Sequence, residues 1–393
     1  SRGLGDVYKR QLPPKYRKAI LLLSSCIFIG YYHIAFLIIA LLISLATFFL
    51  GKWVGQSKHE KDTKRIYISG LCFLITGWLA FRYANLLPGV HWLFPLGISF
   101  YTFQALSYLT EIYWKEEEPE ENLADFMIYM LFFMKFLSGP IERARDMLPQ
   151  LKSGKPVAYP SIVYGMKLIV VGLIKKLILA DYISPYIDGI FNSIHTASGI
   201  QLLMACLLYP VELYGDFSGY TDIAIGCARV MGIKLMKNFD RPYTAKTIKE
   251  FWARWHISLS TWFRDYLYFP LGGSRCSKSR HMFNLFVVFL ASGLWHGANW
   301  TFVLWGIIHA IYRIVGELTY KSREKLWARV GVNTSSVPFS ILRRVLTFIL
   351  VCFSWIFFRS NSLSDLGILL TKLFTDFGSV GAVSYTHLRA HET

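Results

Sequence analysis

A histidine lies at the centre of the stretch Trp295-His296-Gly297-Ala298-Asn299-Trp300-Thr301. The apolar runs on either side, residues 282–294 and 301–312, would each form a helix of only about 20 Å, against roughly 30 Å of bilayer hydrocarbon. Basic residues bound both runs at their far ends. We therefore predict that the chain enters and leaves the same side of a membrane, with His296 at the turn. An ionisable side chain at membrane depth is a functional-site candidate by default, because its burial is costly.

A second polar stretch, residues 249–266, combines charged side chains with three tryptophans, so it cannot lie in lipid along its whole length. If it forms one helix, His256, Ser260 and Arg264 share one face. That face could line a polar cavity. An interfacial amphipathic helix whose polar side meets lipid headgroups fits the same pattern, and the sequence leaves both interpretations open.

Two carboxylates, Asp216 and Asp222, lie in a glycine- and aromatic-rich stretch upstream. Buried acids need partners, so we expect these side chains to pair with Arg254 or Arg264 across the bundle. We interpret the group as an architectural ion-pair site rather than a catalytic dyad.

The composition places these residues in a membrane protein. The 393 residues are 54% hydrophobic and 17% charged, with a mean hydropathy of +0.38, which is too apolar for a soluble domain. The formal net charge of +17 does not indicate nucleic-acid binding, because the excess is confined to short segments between apolar runs. This is the positive-inside pattern. It assigns the following residues to the cytoplasm: 52–65, 143–155, 237–254, 275–280 and 321–329.

The order of apolar runs predicts an all-α chain. Several runs are shorter than the ~20 residues of a full crossing, and such segments are tolerated at depth only where protein or water satisfies their backbone. We therefore predict a polytopic membrane helical bundle with short and re-entrant helices around a central cavity. The runs cover residues 17–50 (one tilted helix, or two that bend near Gly30), 66–81, 91–112, 123–137, 162–180, 199–213, the hairpin around His296, and 341–358.

The remaining candidate residues are less suited to a catalytic or metal site. The six cysteines are scattered and read as small apolar side chains, and His256 and His296 lack a third ligand at zinc-like spacing, so we predict no metal site. His309 is interpreted as a packing histidine on another face. The polar ends, residues 1–11 and 384–393, are unlike the adjacent membrane segments and are interpreted as non-native, which leaves one domain over residues 12–383.

Five motifs in this chain resemble the membrane-bound O-acyltransferase superfamily in both identity and order. Within that superfamily, DRPY at residues 240–243 and YFPLGGSR at 268–275 resemble the alginate O-acetylating branch. The teichoic-acid D-alanyl-transfer branch is the main alternative. The alginate O-acetylating branch usually continues beyond the WIFFR motif, which lies at residues 355–359 of this chain. We therefore expect the domain to be truncated at its C-terminus. The five motifs are GISFYTFQ (97–104), SGPI (138–141), DFSGYTD (216–222), RWHISLS (254–260) and WHG (295–297).

The resemblance implies an O-acyltransferase in which His296 matches the catalytic histidine and His256 the second motif position. Acyl transfer to a hydroxyl needs a base for the proton and donors for the developing oxyanion. A neutral imidazole suits the first task. For substrate binding we consider Asn299, Trp295, Arg264 and Ser260, with the Trp300 indole as a further possible donor.

The resemblance further implies a bacterial inner-membrane protein that moves an acetyl group from a cytoplasmic thioester such as acetyl-CoA towards an extracytoplasmic polysaccharide, directly or through an extracytoplasmic acyltransferase partner. No tightly bound cofactor is expected. D-alanyl or other acyl transfer to a cell-envelope polymer is the alternative within the same chemistry. From another class of function, a non-catalytic acyl-donor transporter, with His296 lining its path, also stays open.

Overall fold

The structure, a computed structural model, describes residues 14–87, 89, 93–153 and 157–376. Within these ranges every regular element is a helix, with no strand, which confirms the all-α prediction. The two ends interpreted as non-native lie outside the described residues.

Sixteen α-helices follow one another in the described part of the chain, and two of them continue as π-helix. They are α1 Pro14–Tyr32, α2 Ile34–Gln56, α3 Glu60–Tyr83, α4 Ile98–Tyr113, α5 Leu123–Leu131, α6 Phe133–Phe136, α7 Ala144–Ser153, α8 Tyr159–Leu173 with π-helix Ile174–Ala180, α9 Asp181–Asn192, α10 Gly199–Val230, α11 Ile248–Arg254, α12 Ile257–Phe263 with π-helix Arg264–Tyr268, α13 Lys278–His296, α14 Trp300–Val330, α15 Val337–Arg359 and α16 Leu363–Thr375.

Five helical segments among the described residues are long and apolar enough to cross a membrane, which agrees with a multi-pass protein. Between them lie several short helices, of which α6, α11 and α12 have 4, 7 and 7 residues. The five candidate spans are Ile34–Gln56, Glu60–Leu86, Gly199–Val230, Trp300–Val330 and Val337–Arg359.

The first predicted run, residues 17–50, is divided into two helices, as one of the two alternatives had it. The break falls at His33, three positions after Gly30, and the His33 Nδ1 accepts a hydrogen bond of 3.1 Å from the Ala35 amide. A side chain that accepts from the first free amides of a helix stabilises its start. The new helix therefore begins where its backbone can be capped.

Helix α10 is much longer than the predicted run of residues 199–213, since it continues to Val230. It begins with a capping box in which Ser198 and Gln201 satisfy each other's backbone amides. Its later turns pack closely on α8: a Cβ added at Gly172 would lie 2.6 Å from the carbonyl oxygen of Gly219. Glycine at this position lets the two backbones touch.

Two apolar clusters form the core, and the short helices α11 and α12 join them. Trp255, at the end of α11, belongs to the cluster built mainly from α9, α10 and α14–α16. Leu259, in α12, belongs to the cluster built mainly from α1–α7, which also includes Trp295. His256 therefore lies at the junction of the two clusters.

Candidate active site

His296 is the last residue of α13, and the next helix begins four residues later at Trp300. The predicted turn at His296 is confirmed. The predicted short arms are wrong: α13 has 19 residues and α14 has 31, about 28 Å and 46 Å of helix. Basic residues such as Arg313 and Lys321 mark the end of the apolar stretch but not the end of α14, because they are good helix formers.

The two helices of this hairpin touch through glycines. A Cβ added at Gly293 would lie 2.5 Å from the carbonyl oxygen of Phe302, and one added at Gly306 would lie 2.5 Å from that of Phe289. Any larger residue would force α13 and α14 apart. The glycines thus fix where the end of α13, and with it His296, stands relative to α14.

The His296 imidazole is half-buried among aromatic rings. The ring centroids of Trp305 and Phe358 lie 5.0 and 4.9 Å from its own, both edge-on. From the other side, the Arg82 guanidinium at the end of α3 donates a hydrogen bond to the His296 carbonyl, and the neighbouring Tyr83 hydroxyl donates to the Leu294 carbonyl over 2.7 Å. Two of the free carbonyls at the end of α13 are therefore satisfied by α3.

His256 lies between α11 and α12 and is 2% exposed. Its backbone is left-handed, with φ 45°, which is uncommon for a residue with a side chain. Such residues cluster at functional sites, where the surrounding contacts hold the strained conformation. The ring of Phe217 lies edge-on at 4.7 Å.

Trp295 connects the two histidines. Its ring centroid lies 4.7 Å from that of His296 and 6.0 Å from that of His256, and Phe100 of α4 contacts both Trp295 and His256, at 5.7 and 6.4 Å. The structure therefore brings three of the predicted site residues together: His296, His256 and Trp295. The Trp295 Nε1 is buried and has no hydrogen-bond partner in the described part of the chain.

The other predicted binding residues are placed differently. The Ser260 hydroxyl donates to the Trp255 carbonyl over 3.1 Å, so it takes part in the bend before α12. Asn299 caps α14: its Oδ1 accepts from the Thr301 amide at 3.1 Å, and its Nδ2 donates to the Asn361 carbonyl at 2.6 Å. Both polar ends of the Asn299 side chain are thus engaged with the main chain.

Arg264 lies away from the two histidines. Its side chain is 53% exposed and its Nε donates to Asp265 over 2.7 Å. It lines a cavity of about 510 Å³ whose wall includes Arg145, Trp114 and Tyr266, and neither His256 nor His296 is among the lining residues. The predicted common face of His256, Ser260 and Arg264 is wrong, since the chain bends at His256 and becomes π-helical from Arg264.

The predicted ion pairs of the two aspartates are also wrong. Asp216 pairs with Lys176 at 2.5 Å, and Asp222 pairs with Lys175 at 2.6 Å. Both lysines belong to the π-helical end of α8, which lies against α10. The carboxylates therefore tie α10 to its nearest neighbour, which leaves Arg254 to pair with Glu250 one turn away.

His309 of α14 extends the aromatic group around His296. It is fully buried, its Nδ1 accepts from the Trp252 indole at 3.2 Å, and its ring lies 5.0 Å from that of Trp305, which contacts His296. Its Nε2 has no partner in the described ranges, and neither does the Trp305 Nε1. Buried polar atoms normally have partners, so we expect a polar ligand or water to bond to these two nitrogens.

Among the described residues, no group of three or more His, Cys, Asp or Glu side chains could hold a metal ion. The chemistry available near the hairpin turn is that of imidazole nitrogens and indole N–H groups. These can take a proton from a hydroxyl and donate hydrogen bonds to an oxyanion.

Comparison with known proteins agrees with this proton-transfer and hydrogen-bonding chemistry. The profile of the MBOAT, membrane-bound O-acyltransferase family, matches residues 23–358. The chain is 36% identical over 382 residues to the "Probable alginate O-acetylase AlgI" of Pseudomonas syringae pv. tomato, with 92% of this chain and 70% of that protein aligned.

The names of two further relatives refer to other polymers. The peptidoglycan O-acetyltransferase of Helicobacter pylori is 31% identical, with 95% of this chain and 76% of that protein aligned. The teichoic acid D-alanyltransferase of Bacillus subtilis is 32% identical, with 68% and 69% aligned. The profile match includes both histidines, the hairpin and most of the helices that position them, and the chain belongs to the membrane-bound O-acyltransferase family.

Proposed function

We propose that this membrane O-acyltransferase moves an acetyl group from a cytoplasmic thioester towards a hydroxyl of an extracytoplasmic polysaccharide, with His296 as the general base. The observation that carries the proposal is the meeting of His296 and His256 across Trp295 at the end of a glycine-packed helical hairpin. Three elements distant in sequence, α3, the α11–α12 bend and α13, converge there. Such convergence of imidazoles with unsatisfied indole and imidazole nitrogens supports acyl transfer better than simple packing.

The reaction balances with the groups at hand. The acceptor oxygen attacks the thioester carbonyl carbon while the His296 imidazole takes the hydroxyl proton. The tetrahedral intermediate then collapses, the C–S bond breaks, and the imidazolium returns the proton to the leaving thiolate. A positioned base of this kind contributes roughly 10²–10⁴-fold. We assign the Trp295 indole N–H as the donor that stabilises the oxyanion, because the Trp295 ring contacts both imidazoles and its Nε1 is buried without a partner in the described part of the chain.

Acetyl as the transferred group, and a polysaccharide of the alginate type as its destination, are supported by the names of the relatives aligned over about nine tenths of this chain. We propose acetyl-CoA or another acyl thioester as donor substrate, a bacterial inner-membrane location, and an extracytoplasmic partner that completes delivery. D-alanyl transfer to a cell-envelope polymer is the second candidate, because it is the reaction named for a relative aligned over two thirds of the chain.

The test uses purified protein in liposomes with radiolabelled acetyl-CoA and a panel of alginate, peptidoglycan and teichoic-acid fragments, in the presence of a periplasmic extract that supplies the proposed partner. We expect label to appear in the polysaccharide and free CoA to be released in equal amount. Labelled acceptor with a D-alanyl donor and none with acetyl-CoA would replace acetyl by D-alanyl transfer. Acetyl-CoA that crosses the bilayer unreacted would show a conduit and overturn the enzymatic assignment.

A further inference from the structure

Asn238, which precedes α11 by ten positions, holds the bend that carries His256. Its carbonyl oxygen accepts from the Ile257 amide at 2.9 Å. Its side-chain Oδ1 accepts from the Ser258 amide at 3.1 Å and from the Ser258 hydroxyl at 2.9 Å. Asn238 is fully buried, so these contacts are made without competition from water.

The same Asn238 Oδ1 lies 3.2 Å from the His256 Nδ1. A backbone amide can only donate, so the side-chain atom that faces the Ser258 amide must be the oxygen and not the NH₂ group. An oxygen cannot donate to Nδ1. The His256 Nδ1 must therefore carry the proton, and in a neutral imidazole Nε2 is then the bare acceptor.

The His256 Nε2 is buried and has no partner among the described residues. A lone pair without a donor is costly in a protein interior. We therefore expect a ligand or a water molecule to donate a hydrogen bond to this nitrogen. Because it accepts, it cannot stabilise the carbonyl oxygen of the thioester as that oxygen becomes negative. It can receive a hydrogen bond from an O–H group.

We propose that Asn238 is a positioning residue that fixes His256 as the Nδ1–H tautomer, so that His256 Nε2 receives a hydrogen bond from a second hydroxyl of the acyl acceptor, or from a water that bridges to the acceptor, rather than serving the thioester. The proton of the reacting hydroxyl itself goes to His296. The proposal rests on the proposed acyl transfer for the identity of that ligand. The tautomer itself follows from the Asn238 contacts alone. Asn238 thereby separates the two sides of the reaction: His256 serves the acceptor, while the Trp295 indole can serve the oxyanion.

The test compares three variants. Asn238→Leu keeps the side-chain volume and removes the acceptor, and Asn238→Asp keeps an oxygen near the Oδ1 position. Asn284→Leu is the matched control: Asn284 is also fully buried, and its Nδ2 donates to the Gly273 carbonyl over 3.0 Å, in contacts that do not include His256. All three are measured in full-length protein in lipid, with thermal stability recorded for each.

The first readout is the ¹⁵N NMR signal of His256, identified by its loss in His256→Gln. We expect a protonated Nδ1 in the wild type, in Asn238→Asp and in Asn284→Leu, and a shift of the proton towards Nε2 in Asn238→Leu. A wild-type His256 protonated at Nε2, or an Asn238→Leu protein with unchanged tautomer, would overturn the proposal.

The second readout is kinetic. In Asn238→Leu, kcat/KM for the acceptor should fall roughly 10–100-fold, as expected when an outer contact that orients a reactive group is removed, while binding of the acyl thioester stays unchanged. Asn238→Asp should recover most of the loss. Equal loss of donor and acceptor affinity would contradict the assignment to the acceptor. A wild-type protein that transfers no acyl group would overturn the proposed function, and the NMR result would still decide the tautomer.

Discussion

The Arg82 guanidinium donates a hydrogen bond to the carbonyl oxygen of His296, across 214 positions of sequence. Arg82 lies in the last turn of α3, which is part of a candidate membrane span, and its guanidinium also lies 5.1 Å from the ring of Phe94. The contact caps the last turn of α13 at the residue proposed to be catalytic. The position of the imidazole is therefore set by α3 as well as by the hairpin.

Removal of this contact should affect catalysis more than folding. In Arg82→Met the end of α13 loses its donor, and we expect kcat to fall by about tenfold or more, because small displacements of a catalytic group are costly. Arg82→Lys should recover part of the rate, since one ammonium donor can reach the carbonyl. Acetyl transfer per mole of folded protein is the measurement. Arg65→Gln on the same helix, where the Arg65 side chain is 80% exposed, is the control.

The His296→Ala variant should insert into the membrane and accumulate but lose acyl transfer by roughly 10²–10⁴-fold, because the general base is gone. His281→Ala, in the first turns of the same helix, should remain active. Rates are compared in liposomes at equal protein content. In His256→Ala the loss of acyl transfer should be less uniform from one substrate to another. An inactive His256→Ala protein beside an active His296→Ala protein would reverse the two roles.

The hairpin could be predicted because spacing alone places a histidine between two apolar runs. The lengths of its helices could not, since the basic residues of α14 end its apolar surface without ending its hydrogen bonding. A central cavity around His296, predicted from the short segments, stays a prediction. The cavities of about 1790 and 510 Å³ in the described structure are lined by residues other than His296.

The shared face of His256, Ser260 and Arg264 was wrong because local periodicity assumes an unbroken helix. The break at His256 is held by Asn238, 18 positions away, and no local pattern reports a contact at that separation. Arg82 was missed for the same reason. By contrast, the choice of His256 and His296 as site residues needed only the family resemblance, because both residues lie in its motifs.

The side of the membrane on which each basic segment lies can be tested by cysteine labelling. Lys58, Lys278 and Lys325 are exposed in the structure. Cysteines at these positions, in a background without the six native cysteines, should react with an impermeant thiol reagent only from the cytoplasm. A cysteine at Thr196 should react only from outside, since the α10 span separates it from the basic segment at residues 237–254. External labelling at Lys278 would overturn the hairpin orientation.

The close packing of the hairpin predicts different outcomes for two glycines of α14. A Cβ at Gly306 would lie 2.5 Å from a main-chain oxygen of α13, whereas one at Gly316 would meet nothing within 4 Å. Gly306→Val should therefore destabilise the protein by about 1–3 kcal/mol and lower acyl transfer, because the end of α13 is displaced. Gly316→Ala should be neutral or stabilising by up to about 1 kcal/mol, since alanine favours a helix over glycine. Thermal unfolding in detergent, read beside the acetyl-transfer rate, measures both, and an equally stable and active Gly306→Val protein would show that α13 and α14 do not need this contact to hold His296.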